Sequence, residues 1–528
     1  MFRTVFGLVV GLAVGLALLS GEAPPQPEPQ MVDLNVVALD NHGQAITDLT
    51  RDELRVTDNG KPQTIAFFRH RDSALGAAPA LGPNEVSNRS RANVPRATVI
   101  LFDFLNENFG TRGTVANRLI HDLESLPSAD YLYLYCLTLD GRLAAIHGLP
   151  GPETEPPPPG GPPWTRQIKP LLDGAMRGLM QVRPVDDQDW NYRVGLTYAG
   201  LTAVGAELSR VPGRKSLVWL TDSVPIELGP RRSDTGDFVD FTPALRRLSE
   251  MFDRSGVAIY PVRQVMLGSP DSMGATDTSG LGGGGGNPRQ TGMAGLGDST
   301  MSASGVGSLD TLNQFAAMTG GRQDAGKDIG AAVRQAMTDA RTSYQIAYYP
   351  PAGNWDNKFH KLRIATTRKG VRIQAKTGYY AWQEPPGAKS EQAIDAAIPT
   401  AFDAAEIGLR ATLLPDPKDA HAMQLDAHID AHDVVLVHAG DAYSGELRYA
   451  IAVYTPVAQP KRGPVTPLEV YFNAQDHDKA LAQGIGLVQD MTLPADAENV
   501  RLIVFDRGSN AIGSVTMPVP EASPRKLN

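Results

Sequence analysis

The sequence predicts an α/β protein: a mostly parallel sheet covered by helices on both faces, flanked by β segments and followed by a carboxy-terminal β-sandwich-like domain. Three observations lead there. Between Thr98 and Arg341, short apolar runs alternate with helical stretches, the pattern of strands wound with crossover helices. On either side, at 32–69 and 343–381, strand-like runs separated by turn residues carry almost no helix signal. From about Ile407 to Val519, "RATLLP", "MQLDAHID", "VVLVHA", "LRYAIAVYTP", "LEVYFNA" and "VRLIVFDR" alternate as sandwich strands do. At 528 residues the chain exceeds one core, and a size of about 150 residues per domain predicts three or so.

The first element, residues 1–23, has one cation at Arg3, an apolar core from Val5 to Leu19 and then small residues, the order of a secretory signal peptide. A proline-rich spacer follows over 24–31. The apolar core is shorter than the ~20 residues of a bilayer span, so no membrane span is expected after signal cleavage. The predicted destination is periplasm, cell surface or medium. An amino-terminal β module over 32–72 contains runs at Val32 to Leu39, Leu54 to Asp58 and Gln63 to Arg69, with "DLTRDEL" as a helical turn and Asp58-Asn59-Gly60 as a tight turn. Residues 73–95, rich in Ala, Pro, Ser and Asn, read as a linker.

The central domain is expected over 96–342. Its strands are Thr98 to Asp103, Tyr131 to Leu137, Arg142 to Ile146, Ser216 to Thr221 and Val257 to Val262, the third joined to the second by the turn at Asp140-Gly141 and so antiparallel. Helices are expected at Thr111 to Leu126, Ile168 to Met180, Arg193 to Arg210, Thr242 to Arg254, Leu309 to Met318 and Asp328 to Arg341. The glycine-rich stretch 268–308 has too few branched apolar residues to bury a core and reads as a flexible insertion. It lacks both GxGxxG spacing and a P-loop ending, so its glycines do not argue for phosphate binding. A β meander over 343–382, a second linker over 383–400 and the β-sandwich-like domain over 401–520 complete the chain.

The net charge of -9, with no long Lys or Arg cluster, excludes an electrostatic footprint for nucleic acid. Cys136 is the only cysteine, so no intramolecular disulfide is available, and within "YLYLYCLTL" it reads as a buried strand residue. HExxH, GxSxG, CxxC and kinase-type motifs are absent, which argues against an enzyme.

Three pieces, "VVALDNHGQAITDLTRDELRVTDNGKPQTI", "VPGRKSLVWLTDSVP" with "GVAIYPV", and "TGGRQ" followed by "YQIAYYPPAGNWDNKFHKLRIATTRKGVRIQAKTGYYA", resemble the exported VWFA-related proteins of acidobacterial type, over roughly Val32 to Ala381. The resemblance implies a von Willebrand factor A-like, doubly wound sheet and a binding role, with no enzymatic activity. It also implies a site for Mg²⁺ or Ca²⁺ built from a DxSxS loop after the first strand, a threonine on a helix and an aspartate after the fourth strand. Hard oxygen ligands at loop ends would hold such a cation and leave one position open for a partner's carboxylate.

Asp103 matches the first aspartate, Asp222 in "WLTDS" the last, and Thr197 in "RVGLTYAGL" fits the threonine. The serine positions are Leu105 and Glu107, and Leu105 cannot ligate. Two readings stay open. In one, Asp103, Asn106, Glu107, Thr197 and Asp222 form an altered oxygen cage and the exported chain binds another protein through this degenerate metal crevice. In the other, Asp103 and Asp222 cap local loops and the chain is a structural envelope protein with a ligand-free A-like sheet.

Two further sets of residues attract notice. Asp426, His428, Asp430 and His432 recur at every second position, which could bind a transition metal but also describes the solvated face of a strand whose Leu425, Ala427 and Ile429 point inward. Tyr344, Tyr348, Tyr349, Trp355, Tyr379, Tyr380 and Trp382 could form a peptide or glycan surface, and are expected instead to pack the meander onto the amino-terminal module.

Overall fold

The computed structural model describes residues 31–520 apart from 73–80, 90–96, 108–111, 125–130, 151–168, 178–189, 225–229, 233–237, 264–302, 323–327, 352–354, 383–387 and a few isolated positions. The predicted signal peptide and the proline-rich segments therefore lie outside the described residues, as does the glycine-rich insertion up to residue 302, while the helix expected at 168–180 is described in part, helical at 169–170, 172–175 and 177.

At the centre is a five-stranded sheet. Its strands are β1 (Thr98–Asp103), β2 (Leu132–Leu137), β3 (Leu143–His147), β4 (Lys215–Leu220) and β5 (Val257–Val262), in the spatial order β5-β4-β1-β2-β3. Three of the four pairings, β5 on β4, β4 on β1 and β1 on β2, are parallel, and only β3 runs antiparallel, against β2. A mixed α/β chain with a mostly parallel sheet is thus what forms. The helices are α1 (Arg112–Glu124), α2 (Trp190–Ser209), α3 (Thr242–Arg254), α4 (Ala303–Thr319) and α5 (Ile329–Arg341).

Continuous apolar strands need cover on both faces. Alternate residues of β1 and β4, Val99, Leu101, Leu217 and Trp219, meet α2, α3 and α4 through Leu201, Phe252 and Phe315. The intervening residues, Ile100, Phe102, Val218 and Leu220, meet α1 and α5 through Leu119 and Val333. Cys136 sits in this second layer with its thiol pushed up to about 12 by burial, which makes it unreactive. Residues 303–308, expected to end the glycine-rich insertion, instead open α4. The helix signal there is carried by Ala and Ser among glycines, too weak to read against the low-complexity run.

The flanking β segments form one module, because strand Thr342–Tyr348 lies between Val32–Leu39 and Phe67–Asp72 in antiparallel register. Asp72 pairs with Thr342, so the chain leaves the module and returns to the same point, with the central sheet inserted between. Leu34, Val36, Tyr344, Tyr348 and Tyr379 share its core, while Tyr349 and Trp382 remain half exposed. The expected strand Gln63 to Arg69 is two strands, Lys61–Gln63 and Phe67–Asp72, separated where Ala66 N bonds to Ala347 O and the chain passes between sheets.

The "TGG" motif joins module to sheet. Thr319 Oγ1 accepts the N–H of Ile259 at 3.0 Å and so covers the outer edge of β5. Gly320 has φ +72°, and a Cβ on Gly321 would overlap the Ile259 carbonyl, so both positions require glycine. Gln374 of the meander then reaches Gly320 O at 3.2 Å and Asp339 at 3.1 Å.

Both expected linkers carry structure. Val86–Ser87 adds a strand to the carboxy-terminal domain beside Ala411 and Arg410, held by the Asn88 side chain bonding Leu409 N at 2.8 Å. Ala388–Ala397 is a helix whose Ile394 and Ala397 pack on Ile503 and Phe505. A two-residue strand has no period to detect, and Pro385-Pro386-Gly387 hides the helix that follows. Two antiparallel sheets, one around Ala422–Ile429 and one around Ala442–Tyr454 and Asn499–Asp506, enclose a common core that includes Leu425, Leu487, Leu447 and Leu502. Among the described residues no helix is long and apolar enough to cross a membrane.

Candidate functional site

Strand order reverses between β1 and β4: the chain proceeds outward through β2 and β3, then returns to the other side of β1. At such a switch point the loops leaving the carboxyl ends diverge and open a crevice. Asp103, the last residue of β1, stands there, fully buried.

Four protein donors converge on its carboxylate. Oδ1 accepts the Asn106 backbone N–H at 3.0 Å, and Oδ2 accepts Asn106 Nδ2 at 2.9 Å, Trp219 Nε1 at 3.1 Å and Thr221 Oγ1 at 3.2 Å. Asp103 thus fastens the loop after β1 to the end of β4. Burial raises its pKa above the ordinary carboxylate range, and the bonds from Asn106, Trp219 and Thr221 offset part of that rise.

Thr197 comes from the opposite side, on the buried face of α2. Its hydroxyl donates to Arg193 O at 2.9 Å, four residues back, and accepts from Asn106 Nδ2 at 3.1 Å. The amide nitrogen of Asn106 therefore lies between Asp103 and Thr197 and donates to both. A carboxylate accepts only, so the amide must turn its NH₂ and not its oxygen toward Asp103.

The other expected site residues divide. Glu107 is buried on the same turn, its backbone N–H bonded to Asp103 O at 3.1 Å, and Leu105 is packed in the apolar layer with α2 and α3. Asp222 is half buried, and Arg263 Nε donates to its carbonyl at 2.8 Å and lies 3.9 Å from its carboxylate. Asp103, Asn106 and Thr197 are therefore joined in one network, and Asp222 has Arg263 as its neighbour.

This donor set does not fit a divalent cation. Mg²⁺ or Ca²⁺ wants bare oxygens at roughly 2.1–2.6 Å, whereas Asp103 Oδ2 already faces three N–H or O–H donors and Leu105 offers none. Among the described residues no group of three or more His, Cys, Asp or Glu is placed to hold a metal.

Trp219, Thr221 and Arg263 were not singled out by sequence. The signal was present for the first: a tryptophan in an aliphatic buried strand must find an acceptor for its N–H, and a carboxylate ends the neighbouring strand. A second buried carboxylate was missed altogether. Asp58 accepts from Tyr348 and Tyr379 hydroxyls at 2.8 and 2.9 Å and meets His360 Nδ1 at 2.8 Å, while His360 Nε2 lies 3.2 Å from Asp356. Its members lie some 300 residues apart, beyond any local pattern.

The Asp/His series does not converge. Asp426 and His428 point outward 4.0 Å apart, while Asp430 lies past the strand end, bonded to His432 N at 3.0 Å and paired with Arg89 at 3.0 Å. Of the aromatics, Tyr344, Tyr348 and Tyr379 pack the meander into the module core as expected. Tyr380 and Trp382 stack on each other instead, and Trp382 Nε1 donates to Glu250 of α3 at 2.9 Å.

No protein-family model matches the chain, and no curated protein matches it.

Proposed function

We propose that residues 96–342 form a von Willebrand factor A-like, doubly wound domain, and that the chain is an exported, non-enzymatic adhesion or scaffold protein that binds another protein through this crevice. The observation that carries the reading is the strand order β5-β4-β1-β2-β3 with a polar network at its switch point, where α/β sheets bind their ligands. Supporting it, half-exposed Tyr192 and neighbouring Arg193 begin α2 beside the network, residue types that anchor interfaces. The leading apolar segment and the lack of a catalytic motif support export and a binding role.

A photo-crosslinking amino acid at Tyr192, introduced in cells that make the protein, tests the reading. A discrete adduct with a second protein is expected there, and none from the same probe at Arg254, which ends α3 at the opposite edge of the sheet. Equal labelling from both positions would count against the crevice. A structural envelope protein with a ligand-free sheet is the second reading, and the saturated hydrogen bonding of Asp103 favours it. It expects no adduct from either position.

A further inference from the structure

We propose that the Asn106 side-chain amide takes the place of a divalent cation in this crevice, so that the A-like domain is closed and competent to bind without Mg²⁺ or Ca²⁺. The inference rests on the A-like reading above.

A cation at a switch point does two things: it neutralises the carboxylate ending the first strand, and it ties that carboxylate to an oxygen on a neighbouring helix. Asn106 Nδ2 takes over both tasks with hydrogen bonds, solvating the carboxylate by its dipole rather than neutralising it. It lies 2.9 Å from Asp103 Oδ2 and 3.1 Å from Thr197 Oγ1, one hydrogen for each, and so bridges β1 to α2. Trp219 Nε1 and Thr221 Oγ1 fill the remaining acceptor sites of Oδ2 at 3.1 and 3.2 Å. A cation arriving there would meet N–H dipoles with their positive ends outward, and would have to break three bonds to reach one oxygen. A further acidic residue, Asp222, has Arg263 as its positive neighbour. Leu105, turned into the apolar layer, removes one oxygen the ion would need. The bridge from strand to helix is thus made by a protein group where the oxygen set is incomplete.

The test is thermal unfolding of the full mature chain after chelator treatment, with and without millimolar Mg²⁺, Ca²⁺ or Mn²⁺, together with Mn²⁺ binding followed by electron paramagnetic resonance. Wild type is expected to keep its Tm within ~1 °C and to bind no stoichiometric Mn²⁺. Asn106→Asp, which replaces the bridging donor by oxygen, is expected to gain a saturable rise of several degrees; Asn106→Ser serves the same purpose should the aspartate variant fold poorly. A saturable rise in wild type that Asp103→Asn abolishes would overturn the proposal, as would silence in both Asn106 variants. Either result leaves the adduct from Tyr192 standing or falling on its own, so loss of this inference is distinct from loss of the binding reading.

Discussion

Asp58 in the β module and Asp103 in the central sheet are both buried carboxylates that gather donors from remote parts of the chain, yet they are compensated in different ways. Asp58 has a basic partner, the His360 imidazole, and two phenolic hydroxyls. Asp103 has neutral dipoles alone: an amide side chain, a backbone N–H, an indole and a hydroxyl. The first arrangement locks strand Leu54–Asp58 to the meander. The second lies at the switch point of the central sheet, where it fastens the loop after β1 to the end of β4. Partner type, rather than burial, separates the two carboxylates.

The widest break in the comparison is expected from Asp58→Ala, which strands two tyrosine hydroxyls and an imidazole in a closed core. It should cost about 3–5 kcal/mol in denaturant unfolding. Asp103→Ala strands four donors rather than three but also removes a carboxylate that burial disfavours, so a smaller loss of about 2–3 kcal/mol is expected. Acidity sharpens the distinction. Because the folded pKa of Asp103 is raised, its stabilising contribution is complete below the unfolded value near ~4 and is lost as pH rises through the folded value. Wild type should therefore lose ground against Asp103→Asn as pH rises above about 4, and a gain would show that the carboxylate is held charged by something other than these dipoles.

Much of this was legible in the sequence, and the parts that were not share a cause. Buried strands such as "TVILFD" and "VAIYPV" are read from apolar runs, and α3 from Leu245, Leu248 and Phe252 on one face, because in each case a few adjacent residues carry the pattern. Asp103 and Thr197 were found because a strand end and a resemblance mark them. The role of Asn106 was not, since an asparagine in a polar loop has many ordinary explanations and its partner lies 91 residues away. Val86–Ser87 and the His360 contact to Asp58 fail for the same reason: pairing across the chain leaves no local trace.

Smaller effects refine the contrast. Trp219→Phe keeps the ring in the core and removes one donor from Asp103, so about 1–2 kcal/mol is expected, measured by urea unfolding. The effect should shrink in an Asp103→Ala background, which a double-mutant cycle would report as coupling. At the other extreme, His428→Ala touches a solvated strand face and should change stability by less than about 0.5 kcal/mol.

Crystals of the mature chain grown with Mn²⁺ and measured at the manganese edge test the central claim most directly. The account predicts an Asn106 side-chain nitrogen between Asp103 and Thr197 with no anomalous peak beside them. A peak at about 2.1 Å from Asp103 Oδ2, with Asn106 turned aside, would contradict it.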